Sequence, residues 1–380
     1  MSIAIETATV KPRRAVLEMP EYHPPLAGRD VLRLDFNENT LAPSPLVMDR
    51  LKQITAEGLT KYPEREPVER KVAAHLGLEP AQVLLTNGVD EAIHLMCCAF
   101  LDEGDEALIA TPSFFMYDVN IRMMTRGLVK VQADETLEFP FERVLAAISE
   151  RTKLIIIPSP NNPTGATASR AQLLAVANAA PHAVLMADEA YFHFHGETVI
   201  GDTATTPNLI VARTFSKVYG LANLRIGLLA GNAELLKYLR KVSSPYNVNG
   251  VALDCLSVAI EDDAYITWYA DQIRVGRERM MGGLDELGVS YFPSAANFVL
   301  MKIGPKHAEL AAAMRRNGVL VRDRSADPGC DGYVRITIGV GDQVTRGLEA
   351  LRASLNEIGW KRERVSESAS QQVSGEREFE

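Results

Sequence analysis

Lys217 lies three residues after Thr214, one after Ser216 and eight before Arg225. A primary amine can condense with an aldehyde cofactor to a Schiff base, and a phosphate needs hydroxyl donors and a guanidinium. This one segment carries all of those groups. A lone lysine is more often a solvated surface residue, so the chemistry rests on what else the chain supplies.

Four further polar clusters bear on it. Gly88-Val89-Asp90 opens a helical pattern, and backbone N–H groups at a helix start bind phosphate; the plainer reading is an ordinary helix cap. Asp188 closes a mostly apolar run. A carboxylate there is costly unless a cation pairs with it, and a protonated pyridine nitrogen is such a cation; the alternative is a buried structural aspartate. Asn162 precedes Pro163 in the segment Asn161 to Gly165, and its amide can donate to a phenolate oxygen, although Asn-Pro-Thr-Gly is also simply a good turn. Tyr191 can donate to the same oxygen. Phe114 can stack on a ring face, where an aromatic after a strand is usually core. His193 and His195 have no clear third ligand, so no metal is expected. Gly339-Val-Gly341 lacks the third glycine of a dinucleotide loop and is set aside.

The elements that must position these groups are legible as short apolar runs: Val83–Thr86, Ala107–Thr111, Leu128–Val131, Lys153–Pro158, Ala183–Asp188, Asn208–Arg213 and Arg225–Ala230. Several are continuously apolar, as strands covered on both faces are. Helical patterns such as Glu91–Leu101, Phe141–Glu150 and Ser169–Ala179 lie between many of them, which argues for an α/β domain with a mainly parallel sheet. In open sheets of this kind ligands sit at the carboxyl ends of strands, and the polar clusters fall at or just beyond such ends. Residues 233–275 read as long helices broken near Pro245. A smaller α+β region follows, with strands at Val289–Phe292, Ala296–Met301, Val319–Arg322 and Tyr333–Ile338 and helices at His307–Asn317 and Val344–Ile358. The expected division is an N-terminal segment 1–40 packed with the small domain, a large domain 41–275, a small domain 276–360 and a disordered tail 361–380.

Composition narrows the function. The chain has 380 residues, 47% of them hydrophobic, and a net charge of −9, which suits a soluble protein with one large core and one smaller. No basic block suggests nucleic-acid binding, and no apolar run approaches the roughly 20 residues of a membrane span. Cys97, Cys98, Cys255 and Cys330 make no Cys-x-x-Cys pair, and a reduced cytoplasmic setting is expected. Arg13-Arg14 is followed by Glu18 and Pro20 and does not read as an export signal.

Taken in order, these clusters resemble the fold-type I pyridoxal phosphate (PLP)-dependent aminotransferases from about Tyr22 to Ile358, and within them the histidinol-phosphate aminotransferase branch. The segments that carry the resemblance are Leu34–Asn39, Lys61–Pro63, Gly88–Glu91, Asn161–Gly165, Asp188–Tyr191, Ser216–Arg225, Val321–Arg322 and Val334–Gly339. The resemblance implies an aspartate aminotransferase-like fold, with a large domain built on a mainly parallel seven-stranded sheet between helices and a small α+β domain. It implies that Lys217 forms the Schiff base and then shuttles a proton, that Asp188 pairs with the pyridine nitrogen, and that Asn162 and Tyr191 bind the ring oxygen. Phe114 takes the ring-stacking place. Gly88, Val89, Asp90, Thr214, Ser216 and Arg225 hold the phosphate, and Tyr62 reaches the neighbouring subunit's cofactor in a homodimer. Arg335 takes the substrate's anionic group, including the carboxylate of glutamate. Arg322 and Tyr22 lie near the substrate's phosphate, and Asn39 is counted with them as substrate-binding.

The implied reaction is a ping-pong exchange in which imidazole acetol phosphate and L-glutamate give L-histidinol phosphate and 2-oxoglutarate. Three features depart from the family pattern: Phe114 replaces a tyrosine, Phe192-His193-Phe194 stands where a more acidic run is expected, and Ser159-Pro160 replaces an asparagine-proline start. They leave room for an aromatic amino acid aminotransferase. A phosphothreonine decarboxylase would have a very similar site, and a non-catalytic PLP-binding module is the remaining alternative.

Overall fold

The computed structural model describes residues 10–19, 21 and 30–361. Tyr22, and all of the expected tail except Lys361, lie outside them. In chain order the strands are β1 (Leu32–Arg33), β2 (Val83–Thr86), β3 (Glu106–Thr111), β4 (Gly127–Gln132), β5 (Thr152–Pro158), β6 (Val184–Asp188), β7 (Leu209–Thr214) and β8 (Gly227–Gly231). They are followed by β9 (Ser290–Phe292), β10 (Phe298–Lys302), β11 (Val319–Leu320), β12 (Arg322–Asp323) and β13 (Tyr333–Thr337).

Seven strands form the main sheet in the order β2-β8-β7-β6-β5-β3-β4. The pairs β3–β4, β3–β5, β5–β6 and β6–β7 are parallel, whereas β8 runs antiparallel to both neighbours, β2 and β7. Six strands therefore share one direction, and β8 begins at the edge where they end. The continuous apolar runs are explained by a period-two split between two cores. Leu85, Leu108, Ile155, Leu185 and Val211 pack on one face, while Leu84, Ile109, Ile156, Met186 and Ala212 pack on the other. At about 2 kcal/mol for each fully buried aliphatic side chain, both faces contribute to holding the strand ends in place.

A second sheet, β12-β13-β10-β9, is antiparallel throughout. The strand expected at Val319–Arg322 divides here. β11 pairs in parallel with β1, and β12 pairs with β13. Val319 and Leu320 are buried, while Arg322 is half-buried, so an apolar pair and a charged pair go to different ladders. The helix Asp263–Leu287 is capped by the Asp262 side chain, ends at Gly288 with φ 68°, and runs through position 275. A boundary at that position would fall inside a continuous helix.

Candidate active site

The shared edge of the main sheet collects the sequence clusters. β2 leads into the helix Gly88–Phe100, which begins earlier than the apolar pattern from Glu91 suggested. Its first turn, Gly88 to Asp90, therefore has backbone N–H groups without intrahelical partners. Gly88 has φ +72°, a conformation that favours glycine, and a Cβ there would come within 2.8 Å of Arg225 Nη2. Arg225 reaches this edge because it lies two residues before β8, the strand that starts where the others end. Its Nη2 sits 3.0 Å from Asp90 Oδ2. Gly227 allows β8 to approach closely, since a Cβ on it would meet the Gly88 carbonyl carbon and Val89 N at 3.0 Å.

β7 ends at Thr214, whose Oγ1 accepts from the Ser216 backbone N–H at 3.1 Å; Thr214 and Ser216 are both buried. The chain then turns through Lys217. The Lys217 amine donates to the Phe36 carbonyl at 3.3 Å and stands 5.7 Å from the Tyr191 ring centroid. Asn39 Nδ2 donates to Val218 O at 3.0 Å, so the segment before residue 40 is tied to the lysine turn.

Asp188 ends β6 and is 4% exposed. Its Oδ1 accepts from the Ala190 N–H at 3.0 Å and its Oδ2 from the Tyr117 hydroxyl at 2.6 Å. Burial raises the carboxyl to about 6, against the lowering effect of those two donors. Tyr191 is buried, and its hydroxyl accepts from Asn37 Nδ2 at 3.0 Å, which leaves the phenolic hydrogen to donate elsewhere. Phe114 immediately precedes the helix Phe115–Met124 and packs edge-on against Tyr117, with ring centroids 5.7 Å apart.

The far wall comes from the second sheet. Arg335 on β13 is 4% exposed. Its Nη1 donates to Asn162 Oδ1 at 2.5 Å and its Nη2 to Asp35 O at 2.6 Å, while its buried Nε has no hydrogen-bond partner. Burial, with Arg324 and Arg322 adding repulsion, pulls the guanidinium down to about 9, which still leaves it charged at neutral pH. Arg322 is directly opposite Arg335 in the β12–β13 register and lies 5.6 Å from the Phe36 ring centroid. The chain from Leu34 to Asn37 is laid along β13. Thr337 N donates to Leu34 O at 2.8 Å, and Asn37 N donates to Thr337 Oγ1 at 3.0 Å.

Tyr62 stands apart from these groups. It is 77% exposed and stacks on Tyr246 with ring centroids 4.4 Å apart. The departures around Phe192 lie behind the site. Phe192 lies beneath the Arg213 guanidinium at 3.9 Å, Arg213 Nε donates to the buried Glu189 at 2.9 Å, and His193 packs edge-on against Tyr219. Burial lowers His193 to about 3.

Sequence reasoning missed Asn37, Tyr117 and the Asp35 carbonyl. Asn37 lay inside a segment already singled out, and Tyr117 follows Phe114 by three residues, one helical turn. A backbone carbonyl acting as a ligand has no sequence signal.

The residues fit PLP. A buried carboxylate at a strand end suits a ring cation, a glycine turn beside Arg225 suits a phosphate, and one amine faces the same edge. The fold and this site define a PLP-dependent transferase. The aminotransferase class I and II family signature matches residues 29–351, and the chain belongs to that family. It is a PLP-dependent aminotransferase acting on a small-molecule amino donor and a keto acceptor. It is similar to the histidinol-phosphate aminotransferase of Symbiobacterium thermophilum, with 34% identity over 361 residues, covering 91% of this chain and 99% of the relative. The histidinol-phosphate aminotransferase 1 of Thiobacillus denitrificans is 33% identical over 333 residues, 86% of each chain. Among solved structures, histidinol-phosphate aminotransferase from Sinorhizobium meliloti in complex with pyridoxal-5'-phosphate aligns with a TM-score of 0.83 at 24% identity, covering 93% of this chain and 99% of that one. Among the described residues no helix is long and apolar enough to cross a membrane.

Proposed function

We propose that this chain is a histidinol-phosphate aminotransferase, exchanging an amino group between L-glutamate and imidazole acetol phosphate. The observation that carries the reading is Arg335, a buried guanidinium with an unpaired Nε and with Arg322 opposite it in register. Such a wall suits substrates that bring their own anions, a carboxylate on one and a phosphate on the other. An apolar aromatic side chain would leave the buried Arg335 Nε desolvated and without a partner, which is costly.

PLP, when bound, supplies an electron-withdrawing ring that makes the bonds at the substrate's α-carbon labile. The chain's residues do the rest. Lys217 anchors the cofactor and, once released, moves the α-proton. Asp188 keeps the ring nitrogen protonated. Asn162 has its oxygen committed to Arg335, which turns its Nδ2 outward as a donor to the ring oxygen, and Tyr191 has its hydrogen available for the same acceptor. Gly88, Val89 and Asp90 offer backbone N–H groups to the phosphate, with Thr214, Ser216 and Arg225 beside them. Phe114 covers the ring face, and Asn39 braces the lysine turn at the edge of the substrate pocket.

The same proposal includes a homodimer, in which the exposed Tyr62 serves the neighbouring site. It also includes a cytoplasmic location and a two-lobe division that shares the helix Asp263–Leu287. Steady-state kinetics with 2-oxoglutarate as acceptor tests the reading. Histidinol phosphate is expected to exceed phenylalanine and tyrosine in kcat/KM by at least about 100-fold. Preference for the aromatic donors would contradict it, as would carbon dioxide release from phosphothreonine without any need for a keto acid.

A further inference from the structure

We propose that Tyr117 is a positioning residue for the cofactor. Its hydroxyl holds the Asp188 carboxylate ionised and aimed at the ring nitrogen before the cofactor arrives. The inference rests on the role proposed above for Asp188.

Tyr117 is 1% exposed and belongs to the core on the Asp188 face of the main sheet. Its hydroxyl is 2.6 Å from Asp188 Oδ2, a short charge-assisted contact. The Ala190 N–H on Oδ1 fixes the other side, so the carboxylate plane is set by two donors from different elements. Tyr117 is held in turn by the helix Phe115–Met124 and by the edge-on Phe114 ring. One short segment would therefore serve the ring face through Phe114 and the ring nitrogen through Tyr117.

The other charged groups around Asp188 act against ionisation. Asp90, at the start of the helix Gly88–Phe100, and the adjacent Glu189 both raise the carboxyl, and burial raises it most. Glu189 is already committed to Arg213 and Thr198. Tyr191, on the same loop, accepts from Asn37 Nδ2 through its hydroxyl oxygen. Among the described residues Tyr117 is the largest favourable influence on the charged form. Burial and the carboxylate raise the Tyr117 phenol well above its ordinary value, so it stays a donor throughout the working range.

The test is equilibrium binding of PLP to wild type, Tyr117→Phe, Asp188→Asn and the double variant between pH 5.5 and about 8.5. It is read by visible circular dichroism of the bound cofactor, with thermal melting as a check on folding. Titrations of PLP itself cancel when each variant is expressed as a ratio to wild type. Tyr117→Phe is expected to bind within about twofold of wild type at the alkaline end, about threefold weaker near pH 6.5 and close to tenfold weaker at about pH 5.5, because Asp188, raised to about 6 in wild type, then titrates about one pH unit higher. In the Asp188→Asn background Tyr117→Phe should add no pH dependence. A Tyr117→Phe ratio that is flat with pH would overturn the proposal and leave Tyr117 as packing alone. Wild-type affinity of Asp188→Asn at every pH would overturn the Asp188 reading itself, and this inference with it.

Discussion

The two walls of the site are built in different ways. On the cofactor side, the proposed ligands other than Tyr62 lie at or near strand termini at one edge of one sheet; six strands sharing a direction bring most of them together, and the reversed β8 adds Arg225. On the substrate side, Arg335 is held by Asn162, 173 residues away, and by the Asp35 carbonyl, 300 residues away. The first wall is a property of a fold. The second is a property of how two sheets and an N-proximal segment meet, and small movements there change what the site accepts. Damage to the first wall should therefore be general, and damage to the second selective.

Lys217→Ala is the most severe test of the first wall. Loss of the group proposed to move the α-proton should lower kcat by at least about 10⁴-fold for every donor alike. Single-turnover rates check this, and a loss confined to one donor would break the comparison. Arg335→Ala tests the second wall. It should lower kcat/KM for glutamate by about 10²–10³-fold while PLP affinity falls by no more than about tenfold, because the substrate's anion loses its partner whereas Asn162 loses only the bond that orients its amide. Arg335→Lys should recover little, since an ammonium cannot reproduce the fork held by Asn162 and Asp35.

How far the site was legible in the sequence follows the same division. Asp188 and Lys217 announced themselves because a charge at the end of an apolar strand, or an amine among hydroxyls and a guanidinium, is expensive without a reason. β2 matches its apolar run residue for residue, and the other strands of the main sheet shift by only one or two positions. What local pattern could not carry was strand direction. The run at Arg225 reads like its neighbours, yet β8 runs the other way, and that reversal is what delivers Arg225 to the edge. Nor could it carry Tyr117, an aromatic in a helix whose hydroxyl matters only once β6 is beside it, or the division of Val319–Arg322 between two ladders.

Smaller effects sharpen the comparison. Asp188 is raised by burial to about 6, so the folded cofactor-free protein binds a proton between roughly pH 4 and 6 that the unfolded chain does not. Its stability should fall as pH rises through that window. Cofactor-free Asp188→Asn should therefore be more stable than wild type at pH 7 by on the order of 1–3 kcal/mol, with the gap closing near pH 4, as urea melts at each pH would report. Phe114→Tyr should change kcat by no more than a few-fold for either donor class, because the ring and its contact with Tyr117 are kept.

The most direct measurement of the central claim compares histidinol phosphate with histidinol as amino donor, in wild type and in the Arg322→Ala/Arg335→Ala double variant, by following the visible absorbance of the PLP-loaded protein in a single turnover. If the guanidinium wall reads an anion, wild type should react with the phosphorylated donor about 10³-fold more efficiently, and the variant should lose most of that preference. Equal rates for the two donors in wild type, or a preference that survives in the double variant, would contradict the account.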